Sequence, residues 1–222
     1  MQRMLSQSAQ DYLKTIFELR QTSERVTTNA LAETLGVAAA SVTGMIKKLA
    51  EMKLVEHTPY QGVSLTASGE KMALAIVRHH RLIELYLTES MGYSWDKVHE
   101  EADRLEHAIS EEFADKISSL LGDPKVDPHG DPIPSKDGTI AAFSMHTLDD
   151  AADGQTVRIE RVRDEVSETL RHIATLGLLP GTVITVLRNP TENTLMVAFA
   201  HGKQEAVTRD IARSIFVVNI SG

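Results

Sequence analysis

The stretch from Val98 to Ser110, VHEEADRLEHAIS, carries residues whose types and spacing could bind a metal ion. It contains neither Pro nor Gly, and its apolar residues recur at helical spacing, which predicts one helix over the whole stretch. Four polar residues then fall on one stripe of that helix: His99, Asp103, Glu106 and His107. Two imidazoles and two carboxylates on one stripe could hold a divalent cation, but a solvated polar helix face explains the spacing equally well.

The composition restricts what such a cation could bind to and where the protein works. The 222 residues include no cysteine, so any metal must be held by oxygen and nitrogen ligands and disulfides are excluded. No run of about 18 apolar residues is present, and the first residues lack an apolar signal-peptide core. These features favour one or two domains, a cytoplasmic setting and no membrane partner.

Charge is distributed unevenly along the chain. The net charge is −8 overall, yet residues 1–66 carry seven Lys and Arg against six Asp and Glu. The first third is therefore free of the repulsion that the acidic remainder would experience near phosphate. The acidic remainder is where cations are expected.

The first third has the pattern of a winged helix. Predicted helices cover Gln7–Thr22, Ala30–Leu35 and the segment AAASVTGMIKKLAEM, and a short β-hairpin follows with its turn at PYQG. The third helix has an apolar face and a face of small and basic residues, as a recognition helix in a major groove requires. The residues predicted to contact DNA on this helix and in the wing are Ala39, Ala40, Ser41, Thr43, Gly44, Lys47, Lys48 and Tyr60. The two lysines are assigned to phosphates.

The rest of the chain predicts a helical segment followed by a β-domain. A long helix, about Ala67–Met91, carries His80 and Glu84 at i, i+4, and another runs over Glu111–Leu121. A Pro- and Gly-rich segment, GDPKVDPHGDPIPSKDGT, then marks a domain boundary or an ordered surface loop. Beyond Asp153, several short β-like runs and one short helix, Val166–Leu176, indicate a small barrel.

This order of elements resembles the diphtheria-toxin-repressor family over essentially the whole chain. The resemblance rests on the segments DYLKTIFEL, SVTGMIKKLAEMKLV, HRLIELYL, VHEEADRLEHAIS, DPHGDPIP and LGLLPG. It implies a mainly α fold with a β-barrel appendage: a winged-helix DNA-binding domain (1–66), a helical dimerisation and metal-binding domain (67–140) and an SH3-like, FeoA-type domain (150–222). It also implies a homodimeric repressor, not an enzyme, that binds double-stranded operator DNA when metal-loaded and controls metal-homeostasis genes.

The resemblance implies a primary metal site made of Asp11, Asp103, Glu106 and His107. Iron-sensing members of the family have sulfur-bearing residues at the positions of Asp11 and Asp103. Carboxylates at both positions predict a preference for Mn(II), with Fe(II) or other divalent transition metals also accepted. Lys14 stands where one manganese regulator has a glutamate ligand, which argues against a closely paired binuclear centre.

The resemblance also implies a second metal site, for which two alternatives stay open. In one branch of the family the ligands match His80, Glu84 and His99. In another they match Glu84, Asp127 and His129, with an acidic residue near Asp164.

Two other functions compete with the repressor. Asp103-Arg-Leu-Glu106-His107 resembles the H-x-x-E-H helix of zinc peptidases, but Asp replaces the first His and the sequence offers no nucleophile or oxyanion hole. A metal-independent winged-helix regulator is the other alternative, and the density of His and acidic residues on the predicted helices speaks against it.

Overall fold

The computed structural model describes residues 5–58, 62–163, 166–187 and 193–220. The chain divides into two compact units. The first comprises residues up to His80, Leu105–Glu111 and Pro134–Thr139, and the second comprises Arg81–Arg104, Glu112–Ile133 and the residues from Ile140 onwards. None of the described helices is long and apolar enough to cross a membrane.

The winged helix predicted for the first third is confirmed. Its elements are α1 (Gln7–Thr22), α2 (Thr28–Thr34), α3 (Ala39–Glu51), β1 (Val55–Thr58) and β2 (Gly62–Leu65). The side chains of Ser6 and Thr27 cap α1 and α2, since each accepts a bond from the backbone N–H of the third residue of its helix. The apolar faces of the three helices form the core of this unit, with Leu13, Leu31 and Leu49 fully buried.

The helical segment contains α4 (Ala67–Met91), α5 (Val98–Leu105) and α6 (Glu111–Leu120). Thr66 caps α4, since its hydroxyl accepts a bond of 3.1 Å from the Gly69 N–H. The prediction of one helix from Val98 to Ser110 is wrong at its C-terminal end. The helix stops at Leu105, and the next three residues form a turn closed by a bond of 2.9 Å from Ala108 N–H to Leu105 O.

The C-terminal part of the second unit is a five-stranded antiparallel sheet with two helices. The strands are β3 (Thr156–Val162), β4 (Val183–Leu187), β5 (Thr194–Phe199), β6 (Gln204–Thr208) and β7 (Ile215–Asn219), in the order β6-β5-β4-β3-β7. Helices α7 (Ser167–Leu176) and α8 (Arg209–Ser214) accompany them, and Leu170 and Ile173 of α7 enter the core. Among the described residues β6 and β7 do not pair with each other, so the predicted barrel is an open sheet.

Candidate metal centre

A group of three potential metal ligands lies in the first unit. One ligand atom each from Asp11, Glu106 and His107 falls within 4.8 Å of the others. His107 Nε2 is 2.8 Å from Asp11 Oδ1 and 3.3 Å from Glu106 Oε1. Asp11 lies on α1, whereas Glu106 and His107 lie in the turn that follows α5, so this group connects the winged helix to a segment about 95 residues further along the chain.

Because α5 ends at Leu105, Glu106 and His107 lie in the turn that follows it. Glu106 is 3% exposed, and its carboxylate contacts Lys14 and His80. The side chain of His107 donates from Nδ1 to Gln10 Oε1 over 2.9 Å, because an amide oxygen only accepts. That bond directs Nε2 towards Asp11, in the orientation that a metal-binding imidazole needs. Contacts with α1 and α4 thus outweigh the helix propensity of the segment.

The two oxygens of Glu106 face different partners. Oε1 faces His107, whereas Oε2 accepts a bond of 2.8 Å from Lys14 Nζ and also contacts His80 Nδ1. Burial alone would raise the pKa of Glu106, but the hydrogen bond with His80 and the charge of Lys14 outweigh burial and hold its pKa below the usual value. The carboxylate is therefore ionised and ready to act as a ligand at neutral pH.

The donor set of this group suits a divalent metal ion. Two carboxylates and one imidazole are hard or borderline ligands, which Mn(II), Fe(II) and Zn(II) all accept. Asp103, the fourth predicted ligand, lies on α5 in the second unit, where its carboxylate is 3.5 Å from His99 Nε2. Its assignment to the primary site stays a prediction.

A second group of potential ligands lies in the second unit. Glu84 of α4 and Asp127 and His129 of the loop after α6 are all buried, and one ligand atom from each lies within 4.8 Å of the others. Nε2 of His129 donates to the Trp95 carbonyl over 2.9 Å, so Nδ1 faces Glu84 Oε2 at 3.8 Å. Asp127 Oδ1 accepts bonds from the backbone N–H groups of His129 and Asp131, which fixes its orientation.

Crowding of charges in this group shifts two pKa values. Burial, together with the charges of Glu84 and Asp131, raises the pKa of Asp127 to about 7. Burial alone would lower the pKa of His129, but the adjacent carboxylates of Glu84 and Asp127 raise it to about 9. A cation bound in this crowded group would offset the charges of Glu84 and Asp127 and would displace the proton that His129 holds.

Strand β3 supports the loop that carries Asp127 and His129. The N–H of Val162 donates to the His129 carbonyl over 2.8 Å, and Gly130 packs so closely on β3 that a Cβ atom would lie 2.1 Å from the Glu160 carbonyl. Arg161, also on β3 and 2% exposed, donates to Asp131 over 2.9 Å. Its guanidinium lies between the rings of Phe143 and Phe216, 4.2 and 3.9 Å from their centroids. This support was not predicted from the sequence, where its local signal is the Gly within DPHGD.

The remaining residues of the two predicted second sites are distributed as follows. His80 lies in the first unit, where it contacts Glu106 and Lys14. His99 lies in the second unit with Nδ1 3.0 Å from Glu84 Oε1, which connects it to the Glu84–Asp127–His129 group. Asp164 lies outside the described residues.

The predicted DNA-contacting face of α3 is exposed. Val42, Ile46 and Leu49 point into the core with at most 1% exposure, whereas the face around Thr43 and Lys47 is open to solvent. The residues on that exposed face are Ala39, Ala40, Ser41, Thr43, Gly44, Lys47 and Lys48. Tyr60 lies outside the described residues.

Comparison with known families identifies each part of the chain. Residues 4–63 match the model described as the N-terminal DNA-binding domain of iron-dependent repressors. Residues 66–135 match the metal-binding and dimerisation domain of the same repressors, and residues 146–219 match the FeoA domain.

Known proteins and solved structures resemble the chain over nearly its full length. The iron-dependent repressor IdeR of Mycobacterium leprae is 27% identical, over 86% of this chain and 88% of its own. A manganese-dependent transcriptional repressor solved in complex with manganese is 39% identical with a TM-score of 0.89, over 96% of this chain and all of its own. ScaR solved with bound Zn2+ is 31% identical with a TM-score of 0.81, over 96% and 99%. The chain belongs to the diphtheria-toxin-repressor family, whose members are metal-dependent transcriptional repressors and not enzymes.

Proposed function

We propose that this repressor is a manganese sensor: it binds Mn(II), and the loaded homodimer binds operator DNA upstream of metal-homeostasis genes. The observation that carries the proposal is the Asp11–Glu106–His107 group. It joins a carboxylate on α1 of the winged helix to two ligands on a distant segment. We also propose three domains, which comprise residues 1–66, 67–140 and 150–222.

The mechanism follows from where the ligands lie. An ion bound to Asp11 and to Glu106 with His107 would hold α1 and the turn after α5 in one relative position. Helix α1 packs against α2 and β2, and α2 packs against α3, whose exposed face is the proposed DNA contact. Fixing α1 therefore limits the positions that α3 can adopt, and metal binding favours the arrangement that matches DNA.

The preference for Mn(II) rests on ligand chemistry. Carboxylate oxygen suits Mn(II), and the chain contains no thiolate that would favour later, softer metals. The 39% identical structure contains manganese, which agrees with this choice, while ScaR binds Zn2+ in its crystal. Fe(II) and other divalent transition metals are expected to bind with different affinity.

A second ion is assigned to Glu84, Asp127 and His129. The three side chains are buried, and the charge of Glu84 helps to raise the pKa of the neighbouring Asp127. Arg81 lies 3.6 Å from Asp127 and compensates part of that charge. Because the loop also rests on β3, an ion here would stabilise the C-terminal sheet against the helical segment within the second unit.

The homodimer is assigned to apolar residues that the single chain leaves exposed. Phe113 and Leu120 on α6 are 52% and 69% exposed and lie seven residues apart, on one face of the helix. Met91 at the end of α4 is also 58% exposed. A second copy of the chain that covers this face of α6 would account for the exposure of Phe113 and Leu120 in the single chain. Sedimentation of Phe113→Ser should then show monomer where the wild type shows dimer.

The central experiment measures metal binding and DNA binding on the same full-length protein. Mn(II) binding is followed by loss of the free-ion EPR signal, and DNA duplexes are selected from a random pool with Mn(II) present. Fluorescence anisotropy on the selected duplex should show tight binding with Mn(II) and weak binding with EDTA. Equal binding in both would support the metal-independent regulator instead.

A matched pair of variants tests the site itself. Glu106→Gln removes a buried ligand charge, whereas Glu100→Gln changes an exposed residue of α5 whose side chain is 71% exposed. We expect the first variant to lose metal-dependent DNA binding and the second to retain it. A Glu106→Gln protein that responds to Mn(II) like the wild type would contradict the site assignment.

A further inference from the structure

The connection between α4 and α5 contacts the loop that carries His129. Trp95, in this connection, is the only tryptophan of the 222 residues and is half-buried. Its indole lies against the imidazole of His129, with 5.0 Å between the ring centroids and 39° between the ring planes. Tilted aromatic rings at this distance attract each other. The indole therefore restrains one of the three side chains of the Glu84–Asp127–His129 group.

Two hydrogen bonds add to this ring contact. The indole N–H of Trp95 donates to the Pro128 carbonyl over 2.9 Å, which holds the backbone immediately before His129. The Trp95 carbonyl accepts a bond of 2.9 Å from His129 Nε2. Because a carbonyl only accepts, Nε2 keeps its proton, and Nδ1 is the nitrogen whose lone pair can bind an ion. One residue thus restrains the backbone, the ring and the tautomer of His129.

The position of Trp95 is itself fixed. The turn that contains it is closed by bonds from the N–H groups of Lys97 and Val98 to the Ser94 carbonyl, over 3.0 and 3.1 Å. The hydroxyl of Ser167 on α7 donates to the Asp96 carbonyl over 2.6 Å. The indole also packs against the apolar core of the C-terminal sheet. Trp95 can therefore direct His129, since it is held by contacts that do not involve the ligand group.

We propose that Trp95 is a positioning residue for the second metal ion: it directs Nδ1 of His129 towards Glu84 and thereby raises the affinity of this group for Mn(II). The inference rests on the proposed function. Partners that orient a metal-binding imidazole contribute about 10- to 100-fold to metal affinity. A ring that only filled space would stabilise the fold without selecting the nitrogen that binds the ion.

Three variants separate the contributions of Trp95. Trp95→Phe keeps an aromatic ring and removes the indole N–H, whereas Trp95→Leu removes both. Tyr93→Leu is the matched control, because Tyr93 is an aromatic residue of the same connection and is 38% exposed. We expect the affinity of the second group for Mn(II) to fall about tenfold or more in Trp95→Leu and by less in Trp95→Phe. It should stay unchanged in Tyr93→Leu.

The affinities are measured on the full-length protein. Each variant is made in a Glu106→Gln parent, which removes the first ligand group, and Mn(II) is titrated by EPR after thermal melting has established that the protein is folded. Zn(II) then serves as a diamagnetic probe for NMR of protein labelled with 15N in its histidines. Long-range 1H–15N spectra identify the metal-bound nitrogen of His129, whose signals are assigned by their loss in His129→Gln. We expect Zn(II) on Nδ1 and a proton on Nε2 in the parent, and faster solvent exchange of that proton in Trp95→Leu.

Weaker Mn(II) binding in both Trp95 variants than in Tyr93→Leu, together with Zn(II) on Nδ1, supports the proposal. Trp95→Leu that binds Mn(II) as tightly as Tyr93→Leu would overturn it, as would Zn(II) on Nε2 in the parent. If Trp95→Leu does not fold, the comparison of Trp95→Phe with Tyr93→Leu decides. Failure of the second metal site itself has a different signature: His129→Gln and the parent would then bind the same amount of Mn(II), and the role of Trp95 would fall with the site.

Discussion

Replacing Gly130 with alanine should separate the loop that carries Asp127 and His129 from the sheet that supports it. Gly130 has φ of +89°, and an added Cβ would lie 2.1 Å from the Glu160 carbonyl and 2.8 Å from Arg161 Cα. Those contacts are backbone atoms of β3, which cannot rotate away as a side chain could. The loop must therefore move off the strand.

A matched glycine separates backbone strain from the clash. Gly138 has φ of +86°, but its added Cβ would meet one side-chain atom of Leu74 at an ordinary 3.8 Å. Alanine at either position should cost about 1–2 kcal/mol for the positive φ. Gly130→Ala should cost about 1–3 kcal/mol more, because moving the loop leaves the buried Val162 N–H without its bond to His129 O.

Thermal and urea denaturation of the metal-free variants measures this difference. For a chain of this size, each kcal/mol corresponds to about 2–4 °C in melting temperature. Gly130→Ala should also bind Mn(II) more weakly at the Glu84–Asp127–His129 group, while Gly138→Ala should not. If the two variants lose the same stability, the close approach of Gly130 to β3 carries no energetic weight and the reasoning is refuted.

Three further predictions concern charge. Mn(II) affinity at the Glu84–Asp127–His129 group should rise about tenfold for each pH unit between pH 7 and pH 9. The reason is that the pKa of His129 is raised to about 9, so the imidazole must lose a proton before it can bind the ion. Calorimetry in buffers of different ionisation enthalpy should detect about one proton released per ion, and the absence of proton release would contradict the assignment. Arg161→Met should lower the free energy of unfolding by about 2–4 kcal/mol, because it breaks a buried ion pair with Asp131. The control variant Arg171→Met, at a side chain that is 60% exposed, should lower it by about 0–1 kcal/mol. Equal shifts of the urea midpoint in the two variants would contradict a stabilising role of the buried pair. Lys47→Ala should lower DNA affinity for all sequences and reduce the salt slope by about one, and a loss confined to one sequence would contradict a phosphate contact.

Periodicity predicted the elements whose pattern is set by local sequence. Helices α1 and α4 begin and end at the residues predicted from their apolar spacing. No strand was predicted at β6, because Val207 is its one buried residue and its sequence lacks a clear alternation of apolar and polar residues. Helix α8 is six residues long, too short to show a period.

The candidate site could be predicted in its ligand types but not in its arrangement. The prediction of one stripe from His99 to His107 assumed a continuous helix. The turn after Leu105 arises from contacts of Glu106 with Lys14, 92 residues away in sequence, and local patterns do not record such contacts. The family resemblance supplied Asp11, which no spacing rule connects with Glu106 and His107.

The support of the Asp127–Ile133 loop by β3 has a consequence for how the protein can be shortened. A chain that ended near residue 140 would still contain Glu84, Asp127 and His129. It would lack the Val162 N–H that donates to the His129 carbonyl and the Arg161 guanidinium that donates to Asp131. Such a fragment would keep the three ligand residues but would lose the contacts that hold their loop in position. The C-terminal sheet thus supports the geometry of a ligand group whose residues all precede it in the chain.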